Sequence, residues 1–277
     1  DKMRPRTACV DVFDAQEKHP VMGRRLACSK QRGISMTQMQ PAIWTGRKPG
    51  HEFFLLFHHR QSADTGLRMK KFNTNADLDY ACRQLAAQDA RLAHVYETYG
   101  VPPMRRAPTG FAGLVRILIA QQVSTAAATA IQSRVDAQVP DMTPQAWLAA
   151  DDATLAACGV SAPKRRYLSG LAQAVLDGHL LFSALHRAEN DAAHEMLTAL
   201  TGIGPWTADC YLLFNMRRAD CFPAGDLALQ EGYRLLYRKN TRPDAAQLTA
   251  LAQDWSPLRG AAARLLWVYY GQQRQKV

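Results

Sequence analysis

The pattern of apolar positions divides the chain into an aperiodic start and a long helical remainder. In residues 1–73, Pro, Gly, Arg and Met are mixed without a period, and one apolar run stands out, Phe53-Phe54-Leu55-Leu56-Phe57, which fits a buried strand or a helix fragment. From Asn75 onward the spacing becomes helical. Leu78, Cys82, Leu85 and Ala86 form one stripe that continues through Leu92 and Val95 towards Tyr99, with Asn75 or Asp77 as cap and Val101-Pro102-Pro103 as the stop. Phe111, Leu114, Val115, Leu118 and Ile119 predict a helix over 111–120, and Ser124 caps an alanine-rich one reaching about residue 137. Gln121, Gln122 and Val123 are left in a tight bend between the two. Short capped helices over 143–150 and 151–158 follow, then a longer one over 164–175. Near the far end, helices are predicted over 226–237, 243–253 and 257–273, the last with Leu258, Ala261, Ala262, Leu265, Leu266 and Tyr269 inward. The predicted class is all-α, with residues 74–277 as the helical domain and residues 1–73 as a segment of undefined structure.

Residues 200–208, Leu-Thr-Gly-Ile-Gly-Pro-Trp-Thr-Ala, interrupt two of these helical patterns at one point. Upstream, Asn190 or Asp191 can cap a helix carrying Met196, Leu197 and Leu200, and Gly202 can leave it with φ > 0. Downstream, Pro205 suits the first turn of a new helix on which Trp206, Cys210, Leu213 and Phe214 recur at helical spacing. Ile203 plugs the turn into the core. Gly202 and Gly204 let the backbone approach another molecule, and the N–H groups of a helix N-terminus suit a phosphate. Taken alone, Gly-Ile-Gly also fits an ordinary αα turn with a glycine cap. Eighteen residues later, Phe222-Pro223-Ala224-Gly225-Asp226-Leu227 places a lone carboxylate at the start of another helix.

The run from 200 to 229 resembles the helix-hairpin-helix, Gly/Pro, Asp signature of the DNA base-excision glycosylases, most closely the 3-methyladenine DNA glycosylase II type. Trp255-Ser256-Pro257 also fits, so that the resemblance covers roughly residues 75–273. It implies a two-lobed helical bundle with the DNA site in the cleft between lobes. It also implies an enzyme that hydrolyses the N-glycosidic bond of damaged bases, alkylated purines above all, as the first step of base excision repair.

Six scattered cysteines without a CxxC pair suit reduced thiols and a cytoplasmic location, and they argue against the iron–sulfur cluster of some relatives. No run reaches the length of a membrane span and no signal peptide is evident, so a soluble protein is expected, with no membrane partner. The net charge of +10 sits mainly in residues 1–73, which hold 14 Lys+Arg against 6 Asp+Glu. The remaining 204 residues hold 20 against 18, and the helical domain must therefore use locally placed charges and backbone N–H groups on DNA. Lys164, Arg165 and Arg166 at a helix start read either as phosphate contacts or as a solvated cluster. The chain begins at Asp1, and Met69 stands just ahead of the matching part. Residues 1–73 are expected to be poorly folded or foreign to the natural protein.

Cleaving the C1′–N bond builds positive charge on the sugar, and a carboxylate near C1′ is its natural stabiliser. The resemblance assigns that role to Asp226, which could equally be a helix cap, or both. It places Trp206, Trp267 and Cys210 at the base pocket, where indole faces favour a cationic alkylated purine; ordinary core packing is the other reading of each Trp. Cys210 stands where the family often has an aromatic. DNA contacts fall on Gly202, Ile203, Gly204, Thr207, Gln121, Gln122 and Ser124, with Gln122 as the side chain that fills the vacated stack or, alternatively, a solvated Gln beside a cap. A monovalent cation at the backbone of Leu200 and Ile203 occurs in some relatives; no transition-metal constellation and no cofactor are expected. Bifunctional relatives carry a lysine where this chain has Trp206, so water is the expected nucleophile. The expected partner is double-stranded DNA containing damaged bases, engaged by a monomer. Two other readings are a non-catalytic hairpin DNA-binding protein, and a bifunctional glycosylase/lyase.

Overall fold

The computed structural model describes residues 69–105 and 107–275. Among these, β pairing is limited to one isolated antiparallel bridge between Lys71 and Arg218; the regular elements are helices. The bridge ties down the start of the described chain: Phe72 N–H donates to Arg217 O at 2.8 Å, Ala219 N–H donates to Lys70 O at 3.0 Å, and the Phe72 ring is fully buried. Residues 69–73 are thus packed on the helical body. Residues 1–68, with the Phe53–Phe57 run, Cys9 and Cys28, lie outside the described residues.

The stripe read as one long helix is two, α1 (Asn75–Gln88) and α2 (Ala90–Tyr99). Thr74, rather than Asn75 or Asp77, caps α1 in a reciprocal box with Asp77. Asp89 breaks the run at φ −133° and caps α2 by accepting the N–H groups of Arg91 and Leu92. The apolar stripe survives the break, because Leu78, Cys82, Leu85, Leu92 and Val95 are all buried. Next come α3 (Gly110–Ala120), α4 (Thr125–Gln138), α5 (Pro144–Ala149), α6 (Asp152–Ala157) and α7 (Ala162–Leu176). Ser124, Thr143 and Asp151 each accept the expected N–H bond at the starts of α4, α5 and α6. The sequence gives no signal for α8 (Phe182–Arg187), six residues with only Leu185 buried, too short to show a period.

The hairpin joins α9 (Asn190–Thr198) to α10 (Pro205–Cys210). Neither Asn190 nor Asp191 caps α9: the N-cap is Glu189, and the Asn190 side chain instead bonds Asp220 O and the Arg218 guanidinium. Beyond α10 the chain widens into a π turn, Tyr211–Asn215, where Met216 N–H reaches back to Tyr211 O. That turn anchors the start of α3, since the Tyr211 hydroxyl accepts Gly110 N–H at 2.8 Å and Asn215 Nδ2 donates to Pro108 O at 2.6 Å. Then follow α11 (Leu227–Leu236), α12 (Ala245–Leu251) with a 3-10 turn, Ala252–Trp255, and α13 (Arg259–Arg274).

Two groups of helices result. In one, α13 packs on α1, α2 and α11, so both ends of the described chain build it. In the other, α3 packs on α4 and α7, and α7 on α5 and α6. The hairpin joins them, α10 touching α3 and α9. The cluster at the start of α7 is not simply solvated. Lys164 Nζ donates to Ile119 O at 2.7 Å and Gln121 O at 2.6 Å, capping the C-terminal end of α3, where a cation complements the helix dipole. Its partial burial holds the ammonium below the usual lysine range. Arg165 forms a two-bond pair with Asp152 and also donates to Val160 O, while Arg166 is exposed. Lys164→Met keeps the apolar stem but leaves two carbonyls unpaired, and is expected to cost about 1–3 kcal/mol in urea or thermal unfolding.

Candidate active site

The hairpin turn is set by its glycines in two different ways. Gly202 has φ 92°, the left-handed region, and a Cβ there would lie 2.6 Å from the Tyr167 ring. The fold therefore requires it. Gly204 has φ −85° and serves as N-cap of α10, and a Cβ there would meet nothing within 4 Å. Glycine suits this N-cap, and the space in front of the exposed backbone is open. Between them Ile203 is 4% exposed, and its N–H donates to Leu200 O at 3.1 Å.

Asp226 lies where the two groups of helices meet. Pro223 and Gly225 bring the chain round so that Asp226 becomes the N-cap of α11, its Oδ1 accepting Ala228 N–H at 2.9 Å and Leu229 N–H at 3.1 Å. Two indoles complete the shell. Trp206 Nε1, from α10, donates to Oδ2 at 3.0 Å, and Trp267 Nε1, from α13, donates to Oδ1 at 3.1 Å. Asp226 is 7% exposed, and all four of these partners donate to its oxygens. Asp226 is therefore both a cap and the centre of a converging constellation. Trp206 and Trp267 are only partly buried, so each combines packing with an edge turned to the carboxylate. Trp267 also leans on Phe214 of the π turn, ring centroids 5.4 Å apart. Cys210 is 2% exposed; burial, with the nearby charges of Asp226 and Asp209, pushes its thiol well above the usual cysteine range, so it packs beneath the site as a neutral thiol.

The bend between α3 and α4 divides its residues between inside and outside. Gln121 is committed inward: its Nε2 donates to Thr207 Oγ1 at 2.9 Å and lies 3.4 Å from Gly202 O. Thr207 is 3% exposed. These two, read from sequence as DNA contacts, bond each other and clip the bend to the hairpin. Gln122 is exposed at φ 56°, an uncommon conformation for a residue with a side chain, and it projects from the tip of the bend. Ser124 Oγ accepts Ala127 N–H at 3.2 Å as the α4 cap. Lys164 supports the same bend from below through Gln121 O. Among the described residues, no group of three or more His, Cys, Asp or Glu side chains could hold a metal ion.

A buried carboxylate twenty-two residues beyond the second glycine of a helical hairpin invites comparison with known proteins. Residues 115–257 match the family of HhH-GPD superfamily base excision DNA repair proteins. The chain belongs to this superfamily. Among HhH-GPD relatives, the DNA-3-methyladenine glycosylase 1 of Schizosaccharomyces pombe is 34% identical over 160 residues, 56% of this chain and 69% of that protein. The solved structure of a 3-methyladenine DNA glycosylase from Schizosaccharomyces pombe in complex with abasic DNA superposes with a TM-score of 0.63 at 30% identity, covering 68% of this chain and 95% of that one. A DNA-3-methyladenine glycosidase from Bacillus halodurans gives the same TM-score at 33% identity, over 71% of this chain and 91% of that one. The matched span holds the HhH-GPD hairpin, the α3–α4 bend and Asp226, while Trp267 lies beyond its end.

The two hairpin glycines are expected to respond oppositely to alanine. Gly202→Ala should lose about 1–3 kcal/mol of stability from backbone strain alone, with the Tyr167 clash adding to it. Gly204→Ala should cost no more than about 1 kcal/mol, the worth of glycine over alanine as an N-cap, but weaken binding to duplex DNA about tenfold or more, the scale of one lost hydrogen bond to a charged group. Denaturant unfolding and fluorescence anisotropy with labelled duplex check the pair.

Proposed function

We propose that this HhH-GPD protein is a monofunctional DNA glycosylase that excises alkylated purines of the 3-methyladenine type. One observation carries the reading: twenty-two residues beyond the second glycine of a hairpin suited to grip a phosphate, Asp226 is held by four N–H donors, two of them indoles. In this reading the hairpin N–H groups seat a phosphate next to the lesion and Gln122 fills the space left when the damaged nucleotide turns out of the stack. The extruded base lies against the indole faces, where a cationic methylpurine gains about 0.5–2 kcal/mol per contact. As the C1′–N bond breaks, the electron pair leaves with the base and neutralises its charge, and the cationic sugar is stabilised by the Asp226 carboxylate. Water then attacks C1′ and leaves an abasic site.

The indole of Trp206 has no amine with which to form a Schiff base, which supports hydrolysis without strand cleavage. A monovalent cation at the hairpin is compatible with the Leu200 carbonyl, which spends one of its two lone pairs on Ile203 N–H. The enzyme is proposed to act as a monomer on double-stranded DNA. For Asp226, catalysis and capping coincide. A non-catalytic hairpin protein has no need of two indole edges turned on one carboxylate.

The test is release of free methylpurines from methylated duplex DNA, followed by chromatography, with strand integrity scored before alkali. The parent protein should release methylpurines and leave strands intact, and borohydride should trap no covalent adduct. Asp226→Asn should lower the rate by about 100-fold or more, the scale of losing a preorganised electrostatic partner. Cleaved strands and a trapped adduct would instead identify a lyase, and equal rates for parent and variant would remove Asp226 from the chemistry.

A further inference from the structure

The four donors on Asp226 are shared unevenly. Oδ1 receives Ala228 N–H, Leu229 N–H and Trp267 Nε1–H, whereas Oδ2 receives Trp206 Nε1–H. A carboxylate oxygen offers about two lone-pair sites, so three donors saturate Oδ1 and one donor leaves Oδ2 with capacity to spare. We infer that Oδ2 is the oxygen presented to the reacting sugar, and that Trp206 and Trp267 are positioning residues that act on it through their indole N–H groups. The inference rests on the glycosylase reading above and adds to it a second role for both rings.

Each indole reaches the carboxylate from a different element, and each is fixed on its other side. Trp206 is the second residue of α10, two positions past Gly204, so the element that carries the hairpin's outward backbone also carries the donor to Oδ2. Seating of the hairpin and placement of the carboxylate are therefore set by one rigid piece. Gly225 packs close to it, a Cβ there lying 3.7 Å from Trp206 Cβ. Trp267 packs on Phe214, and the guanidinium of Arg264, one turn earlier on the same helix α13, sits 4.7 Å from the centroid of the Phe214 ring. Rings serving only as stacking walls would have no reason to aim both N–H edges at the same carboxylate. Because indole nitrogen donates and does not accept, each ring orients the carboxylate by occupying one of its lone-pair sites. With the edges committed, the ring faces keep a set angle to Asp226, and an extruded base resting on them is registered against Oδ2.

Stacking and positioning separate when the N–H alone is removed. Benzothienylalanine keeps the bicyclic shape and face of tryptophan with sulfur in place of N–H, and can be installed singly at positions 206, 267 and 147. Position 147 is the control, since Trp147 is a buried core residue whose Nε1 makes no hydrogen bond. The readouts are the single-turnover rate of methylpurine release, affinity for duplex DNA carrying an abasic site, and thermal unfolding. At 206 and 267 the excision rate is expected to fall about tenfold or more while affinity and unfolding stay close to parent, the loss being of a preorganised hydrogen bond. At 147 the rate should not change. Trp206→Phe and Trp267→Phe, which also retain an aromatic face, should reproduce the loss of rate. Rates within about twofold of parent at 206 and 267, or a loss of rate matched by an equal loss at 147, would overturn the inference while leaving the glycosylase reading in place. A parent protein that releases no base overturns both.

Discussion

A carboxylate must be kept nearly dry, charged and aimed at one point, and most of the architecture around the cleft follows from that constraint. Asp226 meets it by being a helix cap, so that two backbone donors of α11 hold Oδ1 before any side chain contributes. The indoles of Trp206 and Trp267 then fix the plane of the group from two further helices. Since α10 belongs to the hairpin that joins the two groups of helices and α13 lies within one of them, the site exists only when hairpin and helices are assembled. A cap in a solvated turn would have the same backbone bonds and none of this orientation.

The same economy runs through the neighbouring elements. Gln121 and Thr207 connect the α3–α4 bend to the hairpin, and Lys164 caps α3 from α7 while touching the same bend. The interior of the bend is thereby fixed, and Gln122 is left outside at its tip with φ 56°. The π turn after α10 anchors the start of α3 through Tyr211 and Asn215, and brings Phe214 against Trp267. Hairpin, bend and carboxylate are parts of one bonded assembly. Their relative positions are set by packed protein rather than by DNA.

This arrangement also explains why the helical part carries little excess charge. A general basic surface would hold DNA anywhere, whereas on the proposed reading backbone N–H groups at one turn would hold a phosphate at a defined distance from Asp226. Gly204 is the N-cap of α10, a position that glycine fills better than alanine, and its surroundings leave the backbone open.

Much of the framework was legible in the chain itself. Gly202, Pro205 and Ser124, and Asp226 as cap, could be placed because caps and turns are local chemistry, decided by residues within four positions. The helical class followed from periodicity for the same reason. Other features were decided by contacts across long stretches of sequence. Asp89 splits a continuous stripe into two helices, and besides capping α2 it receives the Tyr237 hydroxyl and the Trp255 indole from more than 140 positions away. The widening of α10 into a π turn follows no local signal; its carbonyl at Leu213 is held by the buried Arg264 guanidinium of α13. Gln121 and Lys164 read as surface groups near DNA, and each was taken inward by carbonyls or a hydroxyl that only folding brings within reach. The two tryptophans could be assigned to the pocket by resemblance, but a sequence does not show which way an indole edge points. That direction, which only the folded structure sets, turns two apolar residues into hydrogen-bond donors for one carboxylate.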